Sequence, residues 1–474
     1  MADDNEGDEP TGHLVRAEDL TMVGADTPLC FAACEGRART WAQFAGDVAA
    51  LSVRISGARH VCNLFEDRYD FMVGLAAAVL NGQRTILPAA RAPGAVSAAL
   101  REAESICLLG HTDAEETFED TVPELGGGAA SDPATLPSDL MAATGDIAVF
   151  TSGSTGVPVR HLKTWAGLAG GARITDALFA HAGLAGRRFA IVGTTPHQHM
   201  YGLEAAVFTG FEGRCLYRGT VFFPEDLIGV AAAAERAGFK ALALISSPAH
   251  LKFLAPALTD LPIFRMVLSA TAPLPHALAQ RLEARADPMA VFEIYGSTES
   301  GTLAWRRGPA DGDWTLAEGV SITPGEPAPI ADASHLVAPV PLGDAVEITA
   351  NGRLRLLGRL GDMIQVAGKR TSLGALNAIL LAAADLQDGI VLRERTEGDD
   401  ILTIAAVRQA ADPLGPQARR AAIRQHMAAH TDPVFVPRRI EFIEGLPRNA
   451  TGKVEEKTRA AILRRICKGQ RPAE

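Results

Sequence analysis

The residues Thr151-Ser152-Gly153-Ser154-Thr155-Gly156 place four hydroxyl side chains and two glycines within six positions, directly after the apolar run Ile147-Ala148-Val149-Phe150. The apolar run reads as a strand, so the polar stretch is the loop leaving it. A loop of this kind offers unencumbered backbone N–H groups and hydroxyl donors, the groups a polyphosphate needs. It is not a Walker loop, because no Gly-Lys-Ser/Thr follows at the required spacing. Composition alone would favour a flexible linker, and four further segments decide between the two readings. Ile294-Tyr295-Gly296-Ser297-Thr298-Glu299-Ser300-Gly301 combines an aromatic, a tight glycine, hydroxyls and a carboxylate. Leu342-Gly343-Asp344 precedes a hairpin, and Gly358-Arg359-Leu360-Gly361-Asp362 precedes Gly368-Lys369-Arg370. Near the C-terminus, Leu446-Pro447-Arg448-Asn449-Ala450-Thr451-Gly452-Lys453 sets a lysine on a glycine-bearing loop.

The elements that must position these groups follow from the pattern of the chain. At 474 residues and 47% hydrophobic content, two or three domains are expected. Helical apolar spacing at 39–52 and 69–81 alternates with strand-like runs at 60–65, 83–88, 189–192, 241–246 and 265–269. Such alternation implies parallel sheets with helices on both faces, an α/β architecture. Segments 126–139 and 308–329 are rich in Gly, Pro and Asp and read as loops. Asn351-Gly352 between alternating residues at 345–357 signals a hairpin. After Gly358 the texture changes to a smaller α+β unit. The expected organisation is a disordered tail at 1–12, a large domain at 13–358 and a small mobile domain at 359–474. The large domain would hold parallel and mixed sheets with flanking helices and a β-rich subdomain.

The net charge of −11 is unevenly shared: residues 359–474 hold 19 Lys+Arg against 14 Asp+Glu, and the rest hold 26 against 42. An acidic body argues against nucleic-acid binding. Apolar runs are too short to span a bilayer, and the acidic start is unlike a secretory signal. A cytoplasmic protein with no membrane partner is expected, its six cysteines reduced or buried and without metal-type pairing.

The five segments, in this order, resemble those of the adenylate-forming superfamily: acyl- and aryl-CoA synthetases, carrier-protein ligases, peptide-synthetase adenylation domains and luciferases. The resemblance implies ATP-dependent activation of a small carboxylic acid as its adenylate, followed by thioester formation. Thr151, Ser152, Gly153, Ser154, Thr155 and Gly156 look like the phosphate loop, with Ser152, Ser154 and Thr155 holding the β- and γ-phosphates. Ser269, Ala270 and Thr271, with Ala272-Pro273, are similar to the loop lining the adenine, and Tyr295 and Gly296 to the segment that stacks an aromatic on it. Thr298 would bond the α-phosphate and Glu299 would ligate Mg²⁺, a hard cation suited to carboxylate oxygens. Asp344 matches the carboxylate that accepts from the ribose hydroxyls, and Arg359 the arginine near them. Lys453 matches the mobile lysine that bridges the acid and the α-phosphate. In the segment 195–203, His199 is similar to the residue that packs near the acid and gates the thiol tunnel.

Two departures accompany the resemblance. Pro158 is followed by Val159-Arg160 where the superfamily places a lysine, so a cationic role could pass to Arg160 or Lys163. Gly361 stands at the position that acts as a hinge between the two half-reactions. The run 158–165 and His199-Met200-Tyr201-Gly202 are most similar to ligases of aryl-polyene and xanthomonadin-type pigment clusters. That likeness implies an aromatic acid and, as acceptor, the phosphopantetheine of an acidic acyl carrier protein. Free CoA is the alternative acceptor. A degenerate nucleotide-binding scaffold is the alternative of another class, against which Glu299, Arg359 and Lys453 speak.

Overall fold

The computed structural model describes residues 26–32, 38–111, 120–122, 135–151, 158–308, 312–367, 369–383, 386–395, 400–409, 412–447, 454 and 456–468. The expected tail at 1–12, five of the six phosphate-loop positions (Ser152 to Gly156), and Lys453 lie outside the described residues. The chain forms two compact units, and it passes from one to the other between Glu293 and Ile294.

The strands of the first unit are, in chain order, β1 (Pro28–Phe31), β2 (Arg39–Thr40), β3 (His60–Asn63), β4 (Arg84–Leu87), β5 (Ile106–Leu109), β6 (Asp120–Val122), β7 (Asp146–Thr151), β8 (Val159–Thr164), β9 (Phe189–Gly193), β10 (Cys215–Tyr217), β11 (Ala241–Ser246), β12 (Phe264–Ser269) and the first half of β13 (Ala290–Ser297), whose residues from Ile294 on belong to the second unit. One sheet has the order β6-β5-β3-β4-β7-β8, parallel except for the antiparallel edge strand β8. The other runs β13-β12-β11-β9-β10-β1-β2, parallel except for β2. Parallel strands need both faces covered, so β9 and β11 are buried at every position. That is why their apolar runs were legible in the sequence. Helices Pro224–Arg236 and Pro248–Thr259 pack on this second sheet through Leu227, Val230, Leu251 and Leu254.

Helix boundaries follow from capping. The expected helix at 39–52 begins two residues later, as Trp41–Ile55. Thr40 is its N-cap: Oγ1 accepts from the Gln43 N–H, and the Gln43 side chain accepts from the Thr40 N–H. Arg39 and Thr40 themselves pair with β1. Asp67 caps the helix Arg68–Leu80 by accepting from the N–H groups of Tyr69 (2.8 Å) and Asp70 (3.2 Å).

The second unit continues with β14 (Gly301–Arg307), β15 (Thr315–Leu316), β16 (Val320–Thr323), β17 (Ile330–Ala333), β18 (Val340–Pro341), β19 (Asp344–Ile348), β20 (Leu354–Arg359), β21 (Met363–Val366), β22 (Lys369–Ser372), β23 (Leu386–Arg395), β24 (Asp400–Arg408) and β25 (Arg439–Phe442). The stretch 308–329, expected as loop, instead contains β15 and β16. They are short strands paired antiparallel to β14 and β17. Asn351-Gly352 lies in the turn of the β19–β20 hairpin, as expected, with Gly352 at φ +74°. Helices Leu373–Leu381 and Pro416–His430 cover the β23-β24-β25 sheet through Leu376, Leu380, Ile423 and Met427. No helix among the described residues is long and apolar enough to cross a membrane.

Candidate active site

In the first unit, chemistry-bearing groups gather at the carboxyl ends of the parallel strands, where open α/β sheets bind ligands. Thr194, one residue past β9, has its Oγ1 2.9 Å from Ser246 Oγ on β11 and 2.9 Å from His250 Nδ1. Tyr201 donates its hydroxyl to the Leu268 carbonyl at 2.7 Å, fixing the segment after β9 against the end of β12. Ser269 ends β12 fully buried, and its Oγ has no hydrogen-bond partner among the described residues. Ala270 is buried, and Thr271 is exposed with φ +78°, a backbone region that β-branched residues avoid. Unusual backbone of this kind clusters at ligand sites. The buried carboxylate of Glu293 accepts from the Leu274 N–H at 2.9 Å, which holds the far end of the 270–273 loop. Sequence reasoning missed Thr194, Ser246 and His250, because each is an ordinary residue until the ends of β9 and β11 bring them together, and it missed Glu293, whose role depends on the loop it holds.

The two histidines of the 195–203 segment have different surroundings. His197 is buried, packs at a tilt of 43° against Phe71 with ring centroids 4.3 Å apart, and its Nε2 bonds the Phe65 carbonyl at 2.8 Å. Burial, and then the charge of Arg68, lower its pKa to about 3, so it is a neutral imidazole at working pH. His199 is exposed at the start of the turn Met200–Gly202, and partial desolvation lowers its pKa as well. A π-helix, Leu203–Phe208, follows directly, a feature that recurs at functional sites. Thr151 ends β7 with its hydroxyl 3.2 Å from His161 Nε2 on β8. Arg160 and Lys163 both lie on β8, opposite Phe150 and Ile147, and Arg160 stands 3.6 Å from Glu102. Cys30, Cys62, Cys107 and Cys215 are buried, and burial pushes Cys62 up to about 12 and raises Cys30 and Cys215, so these last three are not ready nucleophiles.

In the second unit the structure brings Tyr295, Asp344 and Arg359 into contact. The Tyr295 hydroxyl donates to Asp344 Oδ2 at 2.9 Å, and Arg359 Nε lies 3.1 Å from Oδ1. Register on the β19–β20 hairpin sets Asp344 opposite Arg359. Burial, then the Asp344 carboxylate, raise the Tyr295 pKa, so its phenol stays a donor. A carboxylate has about four lone-pair sites, so Asp344 retains capacity to accept from a diol. Thr298 and the exposed Glu299 occupy the turn between β13 and β14. Ser297 and Ser300 close that turn: each backbone N–H donates to the other's hydroxyl, at 3.1 and 3.2 Å.

Gly296 is required by packing, since a Cβ there would stand 2.0 Å from the Gly301 carbonyl oxygen. Gly296→Ala is expected to separate the two strands, to destabilise the protein by roughly 1–3 kcal/mol and to displace Thr298 and Glu299. A urea titration measures the first effect and the KM for ATP the second. A wild-type urea midpoint would show that the hairpin yields more easily than its geometry indicates.

The description "AMP-binding enzyme" matches residues 35–353. A 4-coumarate–CoA ligase of Rhodobacter capsulatus is 30% identical over 326 residues, which is 67% of this chain and 78% of that protein. An isonitrile lipopeptide synthase of Streptomyces coeruleorubidus is 32% identical over 120 residues, 25% of this chain and 8% of that protein. The crystal structure of ATP-bound MatB from Rhodopseudomonas palustris superimposes with a TM-score of 0.72 at 18% identity, covering 94% of this chain and 97% of that one. At that identity the likeness establishes the fold. With the family description spanning most of the chain, the protein belongs to the AMP-binding enzymes, and it is an adenylate-forming, AMP-forming acid–thiol ligase.

Proposed function

We propose that this ligase activates an aromatic carboxylic acid and passes it to the phosphopantetheine thiol of an acidic carrier protein. In the first half-reaction a carboxylate oxygen attacks the α-phosphorus of ATP and expels pyrophosphate. In the second, the thiol sulfur attacks the acyl carbonyl and AMP leaves. Asp344, with Tyr295 and Arg359, would hold the ribose, and Ser269 to Thr271 would line the adenine. The phosphates would lie on Thr151 to Gly156 and Thr298. Glu299 would offer one oxygen to Mg²⁺. No group of three acidic, His or Cys side chains that could hold a metal ion is present among the described residues, and phosphate oxygens and water would supply the other ligands. His199 would face the acid, and Lys453 would bridge it to the α-phosphate. The mobile domain would begin at Arg359.

The observation that carries the nucleotide reading is the Tyr295–Asp344–Arg359 contact. The name of the Rhodobacter relative supports an aromatic acid. For the acceptor, Arg438, Lys457, Arg464 and Arg465 are exposed in a segment of positive balance. Local positive charge speeds encounter with an acidic partner, and salt weakens that effect. CoA is the second reading, favoured by the CoA ligase that matches 67% of this chain. A competition decides: holo-carrier and CoA at equal concentration, with adenylate formed in place, across a range of ionic strength. Carrier loading that declines with salt is expected. Preferential CoA loading, or carrier loading indifferent to salt, would overturn the carrier assignment.

A further inference from the structure

The backbone around Gly361 is held from two sides. Upstream, the Leu360 N–H donates to the Gly343 carbonyl at 2.9 Å, while Arg359 pairs with Asp344 on the β19–β20 hairpin. Downstream, one guanidinium holds two carbonyls: Arg393 Nη1 donates to Met363 at 2.9 Å and Nη2 to Gly361 at 3.3 Å. Arg393 projects from β23, next to Leu392, which packs in an apolar cluster with Ile390, Val454 and Ile466. Between these carbonyls, the Asp362 carboxylate lies 3.7 Å from Arg459, which also donates to the Val454 carbonyl at 3.1 Å. The peptide plane entering Leu360 is therefore tied to the hairpin, and the plane leaving Gly361 is tied to the β23 platform. Four torsions lie between them, φ and ψ of Leu360 and of Gly361. Among the described residues, no atom beyond its chain neighbours lies within 4 Å of a Cβ built at Gly361, so packing does not demand glycine there.

We propose that Arg393 is the pin that confines the swivel of the C-terminal part to Leu360 and Gly361, and that it is thereby a positioning residue for passage between the half-reactions. The inference rests on the two-step reading above. A guanidinium bonding two carbonyls fixes both position and orientation of the segment it holds, which a single donor cannot do. Without it, residues 361–363 join the pivot, and the rotation loses its defined end points.

The test uses the full chain and two substitutions. In Arg393→Met, amide hydrogen exchange across 361–364 should accelerate about tenfold, since charge-assisted bonds are lost, while β23 and β24 keep their protection. The kcat for thioester formation should fall about tenfold, with KM for ATP and for the acid within about twofold, because binding groups are untouched and only the alternation is impaired. Arg393→Lys, able to hold one carbonyl, should be intermediate. Unchanged exchange at 361–364, unchanged kcat, or KM values rising in step with the loss of kcat would overturn the proposal. Should Arg393→Met also lose protection in β23 and β24, the decision passes to Arg393→Lys, where wild-type kcat overturns it. Absence of acid-dependent ATP–pyrophosphate exchange in the wild-type protein would instead overturn the two-step assignment, and the hydrogen-exchange result for the pin would stand apart.

Discussion

Lys453→Ala is expected to reduce ATP–pyrophosphate exchange by about 10²–10³-fold, the usual cost of removing one preorganised donor from a developing charge. A lysine that bridges the acid and the α-phosphate meets its strongest charge only when phosphorus is pentacoordinate. Its loss therefore falls on the adenylation rate more than on ground-state affinity. ATP binding, measured by calorimetry, should change little, and transfer from a supplied acyl-adenylate should largely persist. Exchange at nearly the wild-type rate would remove Lys453 from the mechanism and return it to the ordinary surface lysines.

Gly361→Pro should separate the two half-reactions by roughly tenfold or more. Proline fixes φ near −65° and drives the preceding residue from helical toward extended backbone. Leu360 opens the 3₁₀ turn Leu360–Asp362, so both pivot residues are affected. The contrast is Gly361→Ala, whose added methyl would meet no described residue beyond its chain neighbours within 4 Å, and near wild-type folding is expected. Pyrophosphate exchange and single-turnover thioester formation, assayed separately, read the outcome. Equal losses in both, with the fold intact by circular dichroism, would make Gly361 a structural glycine.

Much of the parallel framework was legible because burial on both faces writes a continuous apolar run. The run read at 241–246 is β11 residue for residue, and the run at 265–269 is β12 less its first residue. The elements that were misread are those in which local chemistry conflicts with apolar pattern. Thr40 with Gln43 makes a cap inside a stretch whose spacing looked helical from Arg39. β15 and β16 are short, half-exposed strands set among turn formers, and they exist because β14 and β17 supply hydrogen-bond partners. Such pairing is a property of two segments and cannot be read from either.

The same division governs the site. Tyr295, Asp344 and Arg359 each stood out in the sequence through their neighbours, since glycines and hydroxyls at fixed offsets announce a loop that approaches a ligand. Their meeting across 49 residues of chain was settled by hairpin register and by the course of β13. Nothing local distinguished buried His197 from exposed His199; packing against Phe71 and Phe65 did. Thr271 entered the left-handed region, and Thr194, Ser246 and His250 came together, only once β9, β11 and β12 were aligned. The sequence alone therefore determined the family of chemistry, because glycines, hydroxyls and charges at set spacings are local requirements of phosphate and ribose. The tertiary structure alone decided which polar groups are buried, which share a proton, and that Arg393 grips the chain on either side of Asp362. Those depend on contacts between residues far apart in the chain, whose cost and benefit no single segment carries.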